Sequence, residues 1–286
     1  MVATLMITWD YDAAIGQVNA SYPYKFDEQK IFQEIANVDR ILELGALHQA
    51  PMTFACLGFA AEPGVYPYHV PDQIRSIFQA GHEIASHSWK HEWFPFLKRD
   101  QIFLSLERSK AALEACVQQP GCVKGFVPPF SRPMSWTAHG WISLGDRAWG
   151  PGYPGAETGS LLGIARKAGY SWYRVTTRSL RERLRPSVAA KLGKPWNHSH
   201  GMACVPQHYC GFDQSAVTLL EGAIQKNAPI VIVGHPSGLS RGREENIAHL
   251  QTFLEIAARY RDEGMLVIST VSGYLEKRNA QDGIAA

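Results

Sequence analysis

The chain has 286 residues, of which 45% are hydrophobic and 19% are charged, and its formal net charge is +2. This is an ordinary globular composition, and the balanced charge argues against a nucleic-acid or membrane-surface role. The first residues show no basic leader with a cleavable apolar segment, and no later run reaches the length of a membrane helix, so we expect a cytoplasmic protein without membrane insertion. The five cysteines have no disulfide-framework spacing and are expected to be reduced thiols.

Short apolar runs alternate with longer amphipathic runs, which predicts parallel strands joined by crossover helices. In the first half of the chain the predicted strands cover residues 4–9, 52–57, 82–86 and 121–127. The predicted helices there begin at Asp27 or Glu28 and end at Gly45, run from 70 to 80, and run from 100 to 117.

The same alternation continues in the second half, interrupted by an irregular insertion at about 178–212. Predicted helices cover about 135–144, 160–168, 214–226, 244–261 and 271–277, and predicted strands about 147–149, 170–175, 229–233 and 265–269. Since there is no linker and no internal repeat, we expect one α/β domain over residues 1–286, a distorted (β/α) barrel of seven or eight strands.

Two histidines at short spacing, His87 and His91, suggest a metal site. They lie one helical turn apart, or at the two ends of a tight strand-to-helix turn, and either geometry brings both imidazoles to one cation. A carboxylate from elsewhere in the fold would complete a three-ligand site with an open position, as in hydrolytic metal centres. The spacing alone is a weak signal, because surface or core histidines often share it.

Several chemically capable residues follow predicted strands. Asp10 and Asp12 follow the first strand, the histidine pair follows the third, Phe130 follows the fourth, and His235 follows a late strand. Because the loops after barrel strands meet on one face, we expect these residues to lie close together. Capping by Asp10 and Asp12, and a strand simply ending at Pro128-Pro129-Phe130, are the non-functional alternatives.

These residue types suit the hydrolysis of an amide. One aspartate can hold a cation while the other takes a proton from water, and a histidine such as His235 can protonate the leaving amine. The oxyanion formed on attack needs a donor, and Phe130 has the first backbone N–H after two prolines.

The motifs resemble those of the polysaccharide deacetylase family, also called the NodB-homology or carbohydrate esterase family 4 hydrolases. Residues 8–12, Thr-Trp-Asp-Tyr-Asp, resemble its acidic T-F-D-D motif, and residues 81–91, with the lead-in Gly-His-Glu-Ile, match its H-[ST]-x-x-H motif. Residues 127–130 resemble its R-x-P-[FY] motif, and residues 231–235 resemble its late strand ending in histidine.

The resemblance implies a NodB-type distorted barrel with a divalent cation, usually zinc, held by Asp12, His87 and His91. It implies that Asp10 is the general base and His235 the general acid. The extra residue between the aspartates resembles the branch of the superfamily with imidase- and allantoinase-like hydrolases, and Asp10 is kept as the base by analogy with it.

A second departure is Val127, which stands where the family has arginine. That arginine orients the base aspartate, so its loss should raise the pKa of the base and loosen its position. Arg132 or Arg174 is expected to replace it. If neither reaches the base, activity would be low or absent.

Two further groups have alternative interpretations. The insertion carries histidines and cysteines that could bind a second zinc, although their spacing fits no standard zinc motif and favours an ordinary loop; these are His198, His200, Cys204, His208 and Cys210. Trp89, like other loop aromatics near the expected site, suits stacking on a sugar, but packing within the loop is the commoner use.

The leading hypothesis is a cytoplasmic, metal-dependent deacetylase of an amino sugar or of a sugar-containing precursor for surface polysaccharide. The first alternative is hydrolysis of a small cyclic amide or ureide. The second, motivated by Val127, is a catalytically silent saccharide-binding relative. No nucleic-acid partner is expected, and self-association into a homo-oligomer stays open.

Overall fold

The protein is described here from a computed structural model that covers residues 2–20, 27–94, 97–129, 158–175, 192–193, 196, 198–240 and 244–281. Its strands belong to one sheet. In chain order they are β1 (Ala3–Tyr11), β2 (Thr53–Cys56), β3 (Glu83–Ser86), β4 (Gly125–Phe126), β5 (Trp172–Val175), β6 (His198–Ser199), β7 (Met202–Pro206), β8 (Tyr209–Cys210), β9 (Pro229–Gly234) and β10 (Leu266–Ile268).

The helices alternate with these strands for most of the described chain. They are α1 (Ala13–Asn19), α2 (Glu28–Leu47), α3 (Gly58–Ala61), α4 (Pro71–Gln79), α5 (Arg99–Val117), α6 (Thr158–Lys167), α7 (Gln214–Gln225), α8 (Ile247–Asp262) and α9 (Val271–Gln281). A short 3-10 turn, Pro236–Gly238, follows β9.

The sheet curls into an incomplete barrel with the order β6-β7-β5-β4-β3-β2-β1-β9-β8, and β10 pairs with the first part of β1. All pairings are parallel except that of β6 with β7. The predicted α/β fold with a distorted barrel is therefore confirmed. The described residues contain ten strands, and three of them, β4, β6 and β8, have only two residues each.

The two faces of β1 show how the sheet separates core from site. Leu5, Ile7 and Trp9 pack into the larger hydrophobic core. Met6, which points to the other face, belongs to a smaller core inside the barrel. Because side chains alternate along a strand, Asp10 shares the inner face with Met6. The inner face thus changes from apolar to charged towards the carboxyl end of β1.

Most predicted boundaries differ from the structure by one or more residues; the strand predicted at 121–127 has only Gly125–Phe126, and the last helix continues to Gln281. Two of the differences have a visible cause. Gly45 does not end the second helix, which continues to Leu47. A Cβ at Gly45 would lie 3.0 Å from His82 Cε1, so the glycine lets the helix pack closely on the His82 ring. The helix predicted from 244 instead begins at Ile247, after Asn246, whose side chain accepts a hydrogen bond from His249 N.

The segment predicted as an irregular insertion contains regular structure. Residues 198–210 include β6, β7 and β8, and β7 pairs with β5 through Trp172 opposite Ala203 and Arg174 opposite Val205. Met202 and Val205 are buried on opposite faces of β7, in the larger and the smaller core. Because both faces are buried, and histidines, a cysteine and a proline lie nearby, the sequence shows no clear strand pattern here. The predicted helix at 135–144 and strand at 147–149 lie outside the described residues, as do 176–191.

Among the helices of the described ranges, none is both long and apolar enough to cross a bilayer.

Candidate functional site

Asp12, His87 and His91 converge at the carboxyl ends of β1 and β3. Asp12 Oδ1 lies 3.5 Å from His87 Nε2 and 3.5 Å from His91 Nε2. The donor atoms of all three residues lie within 4.8 Å of one another, and all three residues are buried. The structure thus brings together the carboxylate and the histidine pair that the sequence predicts as metal ligands.

The two histidines lie on a tight loop after β3 and not on a helix. Ser88 and His91 have φ angles of 75° and 61°, in the left-handed region that few residues other than glycine adopt. The Ser88 carbonyl accepts hydrogen bonds from Gly58 N at 3.1 Å and Ser109 Oγ at 2.8 Å, and Ser88 Oγ accepts one from His91 N at 3.1 Å. These contacts hold the loop conformation in which both rings reach Asp12.

Both imidazoles turn Nε2 towards the Asp12 carboxylate. His87 Nδ1 lies 2.8 Å from the carbonyl oxygen of Val127. Since a carbonyl only accepts, Nδ1 donates to it, and Nε2 is the ring nitrogen that faces Asp12. Burial lowers the pKa of His91 to about 4, against the opposing charge of Asp12. His91 is therefore neutral at neutral pH, as ligation requires.

Asp12 is positioned by contacts from two helices. Its Oδ2 accepts a hydrogen bond from Gln17 Nε2 at 3.3 Å, and its backbone N–H donates to Glu34 Oε1 at 3.3 Å. Burial, together with the charge of Asp12, raises the pKa of Glu34 well above its usual value. Glu34 is thus a neutral acid, and Asp12 remains the single negative charge among these donors.

The donor set fits a divalent cation. Asp12 Oδ1 is buried and has no hydrogen-bond partner within the described part of the chain. A buried carboxylate oxygen without a donor is costly, and a cation between it and the two imidazole nitrogens would remove that cost. Two histidines and one carboxylate, with a further position left for substrate, form the donor set of hydrolytic zinc sites.

Asp10 in β1 forms a bidentate pair with Arg174 in β5. Nη1 lies 2.6 Å from Oδ1 and Nη2 lies 2.5 Å from Oδ2, and the two side chains are 3% and 0% exposed. Thr8 Oγ1 accepts a further hydrogen bond from Nη1 at 3.3 Å. Burial alone would raise the pKa of Asp10, but Arg174, aided by His87 and His235, holds it well below its usual range. Asp10 is therefore ionised.

His235 lies between two carboxylates. Its Nε2 is 3.7 Å from Asp10 Oδ2, and its Nδ1 is 2.9 Å from Glu245 Oε1. Burial would lower the pKa of His235, but Cys210, Glu245 and Asp10 act in the opposite direction and hold it well above its usual value. With 34% of its side chain exposed, the ring is a protonated group that a substrate can reach.

The arginine contact missing at Val127 is made from another strand. Arg174, one of the two predicted replacements, holds Asp10, while the Val127 side chain packs inside the barrel and its carbonyl contacts His87. Arg132 and Phe130 lie outside the described residues, so their roles stay predictions.

The Trp89 ring is buried and does not present an exposed face for stacking on a sugar. Only 6% of it is exposed. The Arg108 guanidinium lies 3.8 Å from its ring centroid, and Phe59 packs edge-on at 5.8 Å. This arrangement matches the packing interpretation of Trp89, and a contact with substrate stays a prediction.

The sequence motifs do not indicate Glu245 or Glu34, and they group Cys210 with other donors than the His235 and Glu245 that it contacts. Glu245 was assigned to a helix, although Asn246 before an apolar run is a typical helix cap that places Glu245 in the preceding loop. Glu34 occupies a polar position within the apolar face of α2, because it approaches Asp12 there.

The histidine- and cysteine-rich segment does not gather its own donors in the described residues. His198 and His200 are exposed, and His208 Nδ1 accepts a hydrogen bond from Val231 N at 3.0 Å. Within the part of the chain that the structure describes, none of these histidines, nor Cys204, belongs to a group of three metal-donor residues; Cys210 does, but with His235 and Glu245.

The sequence model of the polysaccharide deacetylase family matches residues 24–141, a range that contains the histidine pair. The predicted resemblance to the polysaccharide deacetylase family is confirmed. No curated protein matches the sequence. The match leaves out Asp10, Asp12, Arg174 and His235, which the fold adds to the same site.

Solved structures share the fold of this chain at low sequence identity. A protein from Mycobacterium smegmatis whose name assigns it to the polysaccharide deacetylases is 19% identical with a TM-score of 0.66, covering 98% of this chain and 91% of that chain. Puue allantoinase is 14% identical with a TM-score of 0.64, covering 97% and 90%. A mutant of a carbohydrate esterase family 4 pseudoenzyme from Bacillus anthracis, with restored enzymatic activity, is 15% identical with a TM-score of 0.50, covering 94% and 66%.

Proposed function

We propose that this protein is a metal-dependent hydrolase of a non-peptide C–N amide bond, and that its substrate is an N-acetylated amino sugar or a sugar-containing precursor. The resemblance to the polysaccharide deacetylase family supports the reaction class. The cation, most fittingly zinc, would be held by Asp12, His87 and His91.

One observation carries the proposal: Asp10, ionised and hydrogen-bonded to Arg174, lies 3.7 Å from His235 Nε2. In the sequence it is two residues from Asp12, one of the proposed metal ligands. An acid and a base for amide hydrolysis must differ in protonation at the same pH. Arg174 keeps Asp10 deprotonated, whereas Glu245 favours the protonated ring of His235. The two groups are thus prepared for opposite proton transfers.

In the proposed reaction, Asp10 accepts the proton of the water that attacks the amide carbonyl. His235 then gives its Nε2 proton to the nitrogen of the leaving amine, and Glu245 stabilises the ring while it is charged. Arg174 fixes the direction of both Asp10 oxygens through its two hydrogen bonds. When bound, a divalent cation supplies Lewis-acid polarisation of the carbonyl and makes water a stronger acid. The Phe130 N–H as a donor to the oxyanion stays a prediction.

The sugar substrate and the cytoplasmic location are proposed together. A cytoplasmic enzyme would meet a nucleotide-linked or lipid-linked precursor before it meets mature polysaccharide. A deacetylase acting there would supply surface polysaccharide synthesis.

A small cyclic amide or ureide is the second candidate substrate. The Asp-Tyr-Asp spacing and the fold shared with an allantoinase at a TM-score of 0.64 favour it. The same acid, base and cation would open the ring instead of releasing acetate. The silent relative is less favoured, because the Arg174 contact removes the reason for proposing it.

A paired assay tests the proposal. Zinc-loaded protein is incubated with N-acetylated sugar precursors and with cyclic imides and ureides, and acetate release and ring opening are followed side by side. Acetate release that is lost in Asp10→Asn supports the leading substrate class, and ring opening with the same dependence supports the second. Metal bound at Asp12, His87 and His91 without turnover in either panel overturns the enzymatic proposal.

A further inference from the structure

A second group of metal-donor atoms adjoins the proposed catalytic site. Cys210 Sγ lies 3.3 Å from Glu245 Oε1 and 3.8 Å from His235 Nδ1, and those two atoms are 2.9 Å apart. These donors are distinct from Asp12, His87 and His91, and the motifs of the polysaccharide deacetylase family include neither Cys210 nor Glu245. The catalytic proposal uses Glu245 and His235 as an acid–base pair but gives no role to the thiol.

The separations agree with coordination of one small cation. Zinc binds thiolate at about 2.3 Å and imidazole or carboxylate at about 2.0 Å, so tetrahedral donors lie about 3.3–3.5 Å apart. The three separations observed differ from this range by no more than about 0.5 Å. Thiolate, imidazole and carboxylate together favour zinc over magnesium or calcium, which prefer oxygen ligands.

The backbone holds the three donors in place. Cys210 in β8 pairs opposite Val233 in β9, and Gly211 N donates to the Val233 carbonyl at 2.9 Å. Phe212 N donates to the Glu244 carbonyl at 2.8 Å, which fixes the loop that carries Glu245 beside β8. Gly211 has a φ of 120°, and a Cβ there would lie 2.7 Å from Glu244 Cβ, so glycine permits this approach.

The Glu245 carboxylate is also directed inward. Its Oε1 accepts a hydrogen bond from His235 N at 3.1 Å, and a Cβ at Gly238 would lie 2.0 Å from its Oε2. The side chain is 14% exposed, whereas the His235 side chain is 34% exposed. The donors are therefore fixed from within, and a cation from solution reaches them on the His235 side.

We propose that Cys210 Sγ, His235 Nδ1 and Glu245 Oε1 form a second zinc site, and that zinc bound there inhibits the enzyme. Binding releases two protons to solvent, the thiol proton of Cys210 and the Nδ1 proton of the His235 imidazolium, since only the thiolate and a ring nitrogen with a free lone pair are ligands. His235 binds as the neutral ring with its one proton on Nε2, so it no longer forms the imidazolium that protonates the leaving amine. This inhibitory consequence rests on the proposed function, whereas the site itself does not.

Metal binding by the full-length protein tests the site directly. Metal-free protein is titrated with zinc under equilibrium dialysis, and separately with cobalt(II), whose thiolate complexes absorb in the near ultraviolet. Wild type is expected to bind a second, weaker equivalent with a thiolate–cobalt band. Cys210→Ser should lose that band and bind the second equivalent at least about 100-fold more weakly. Loss of a contact that only supports a metal ligand can weaken affinity by about 100-fold, and loss of the ligand itself should weaken it more. His87→Ala should retain the thiolate–cobalt band and the affinity of the Cys210 site.

Cys204→Ser is the matched control, because Cys204 is also a half-buried cysteine of the same segment. It should leave the second equivalent, the band and turnover unchanged. A band that survives in Cys210→Ser or disappears in Cys204→Ser overturns the site. Binding of only one equivalent of metal by wild type also overturns the site.

Turnover separates this proposal from the proposed function. For each protein, the rate in excess zinc is compared with the rate of the same protein at one equivalent of zinc. Excess zinc should lower the rate of wild type and leave the rate of Cys210→Ser unchanged. A protein that hydrolyses amides but binds no second equivalent contradicts only the second site. One that binds it through Cys210 but hydrolyses nothing contradicts the proposed function and the inhibitory consequence. Two bound equivalents with undiminished turnover overturn the inhibitory consequence.

Discussion

Asp10 and Arg174, which are 164 positions apart in the sequence, form two parallel hydrogen bonds inside the barrel. The contact joins β1 to β5 across the small side chains of Ala55 and Ala85, which line the smaller core. It holds a charged carboxylate at the inner end of β1, beside the proposed metal ligands. The pair therefore fixes the orientation of Asp10, the proposed general base.

Replacing Arg174 should affect both stability and rate. Arg174→Met leaves a buried carboxylate without its charge partner, and we expect the free energy of unfolding to fall by about 3–5 kcal/mol. Arg174→Met combined with Asp10→Asn should recover much of this loss, because the uncompensated charge is gone. Urea unfolding measures both. Equal destabilisation in the single and double variants would contradict the ion-pair interpretation.

Arg174→Lys should separate charge from direction. Lysine keeps the charge but cannot make the bidentate contact, so kcat should fall by about 100-fold while KM changes little. Arg166→Lys, at an exposed position of α6, is the matched control and should leave kcat unchanged. Steady-state kinetics at saturating zinc in both variants give the answer.

The basic limb of the pH–rate profile should belong to His235. A protonated acid loses activity as pH rises through its pKa, and the contacts of His235 with Cys210 and Glu245 raise its pKa. Glu245→Gln removes that charge, so the basic limb of kcat/KM should move to lower pH. Glu244→Gln, which alters the neighbouring exposed carboxylate, should leave the limb in place. A limb that stays fixed in Glu245→Gln would exclude His235 as the titrating acid.

Removal of a ligand histidine should abolish the tighter metal equivalent. In a Cys210→Ser background, which isolates this site, His87→Ala should lose stoichiometric zinc, whereas His198→Ala should retain it. His198 is an exposed histidine on β6 and serves as the control. Metal analysis after gel filtration distinguishes the two. Full zinc retention by His87→Ala would remove His87 from the ligand set.

Glu34 provides a test of the contacts behind Asp12. Because Glu34 is already neutral, Glu34→Gln should keep zinc affinity, since an amide oxygen still accepts from Asp12 N. Glu34→Ala leaves that buried N–H without its acceptor and should weaken zinc binding by about 10- to 100-fold. Isothermal titration compares the two variants, and equal affinities would show that Glu34 does not position Asp12.

Strand periodicity and local motifs predicted much of the fold and the site. The alternation of apolar runs placed Asp10, Asp12, His87 and His235 at the carboxyl ends of strands, where the barrel brings them together. These positions can be predicted from the sequence because each follows directly from the strand that precedes it. The third strand was predicted at 82–86 and is found at Glu83–Ser86, directly before the histidine loop.

Long-range partners could not be read from local patterns. Arg174 was one of two alternatives, because its distance from Asp10 depends on sheet order and register. Glu245 was assigned to the following helix, and β7 was hidden by its histidine and cysteine neighbours. The Ser88 and His91 backbone conformations arise from contacts with Gly58 and Ser109 that are distant in sequence.

The most direct measurement is the rate of amide hydrolysis by Asp10→Asn when the Asp12, His87 and His91 site is fully loaded with zinc. Loss of general-base catalysis costs about 100- to 10,000-fold, so kcat should fall by that factor while bound zinc stays equal to wild type. Undiminished turnover by the zinc-loaded variant, or equal turnover by metal-free wild type, would contradict metal-dependent hydrolysis with Asp10 as the base.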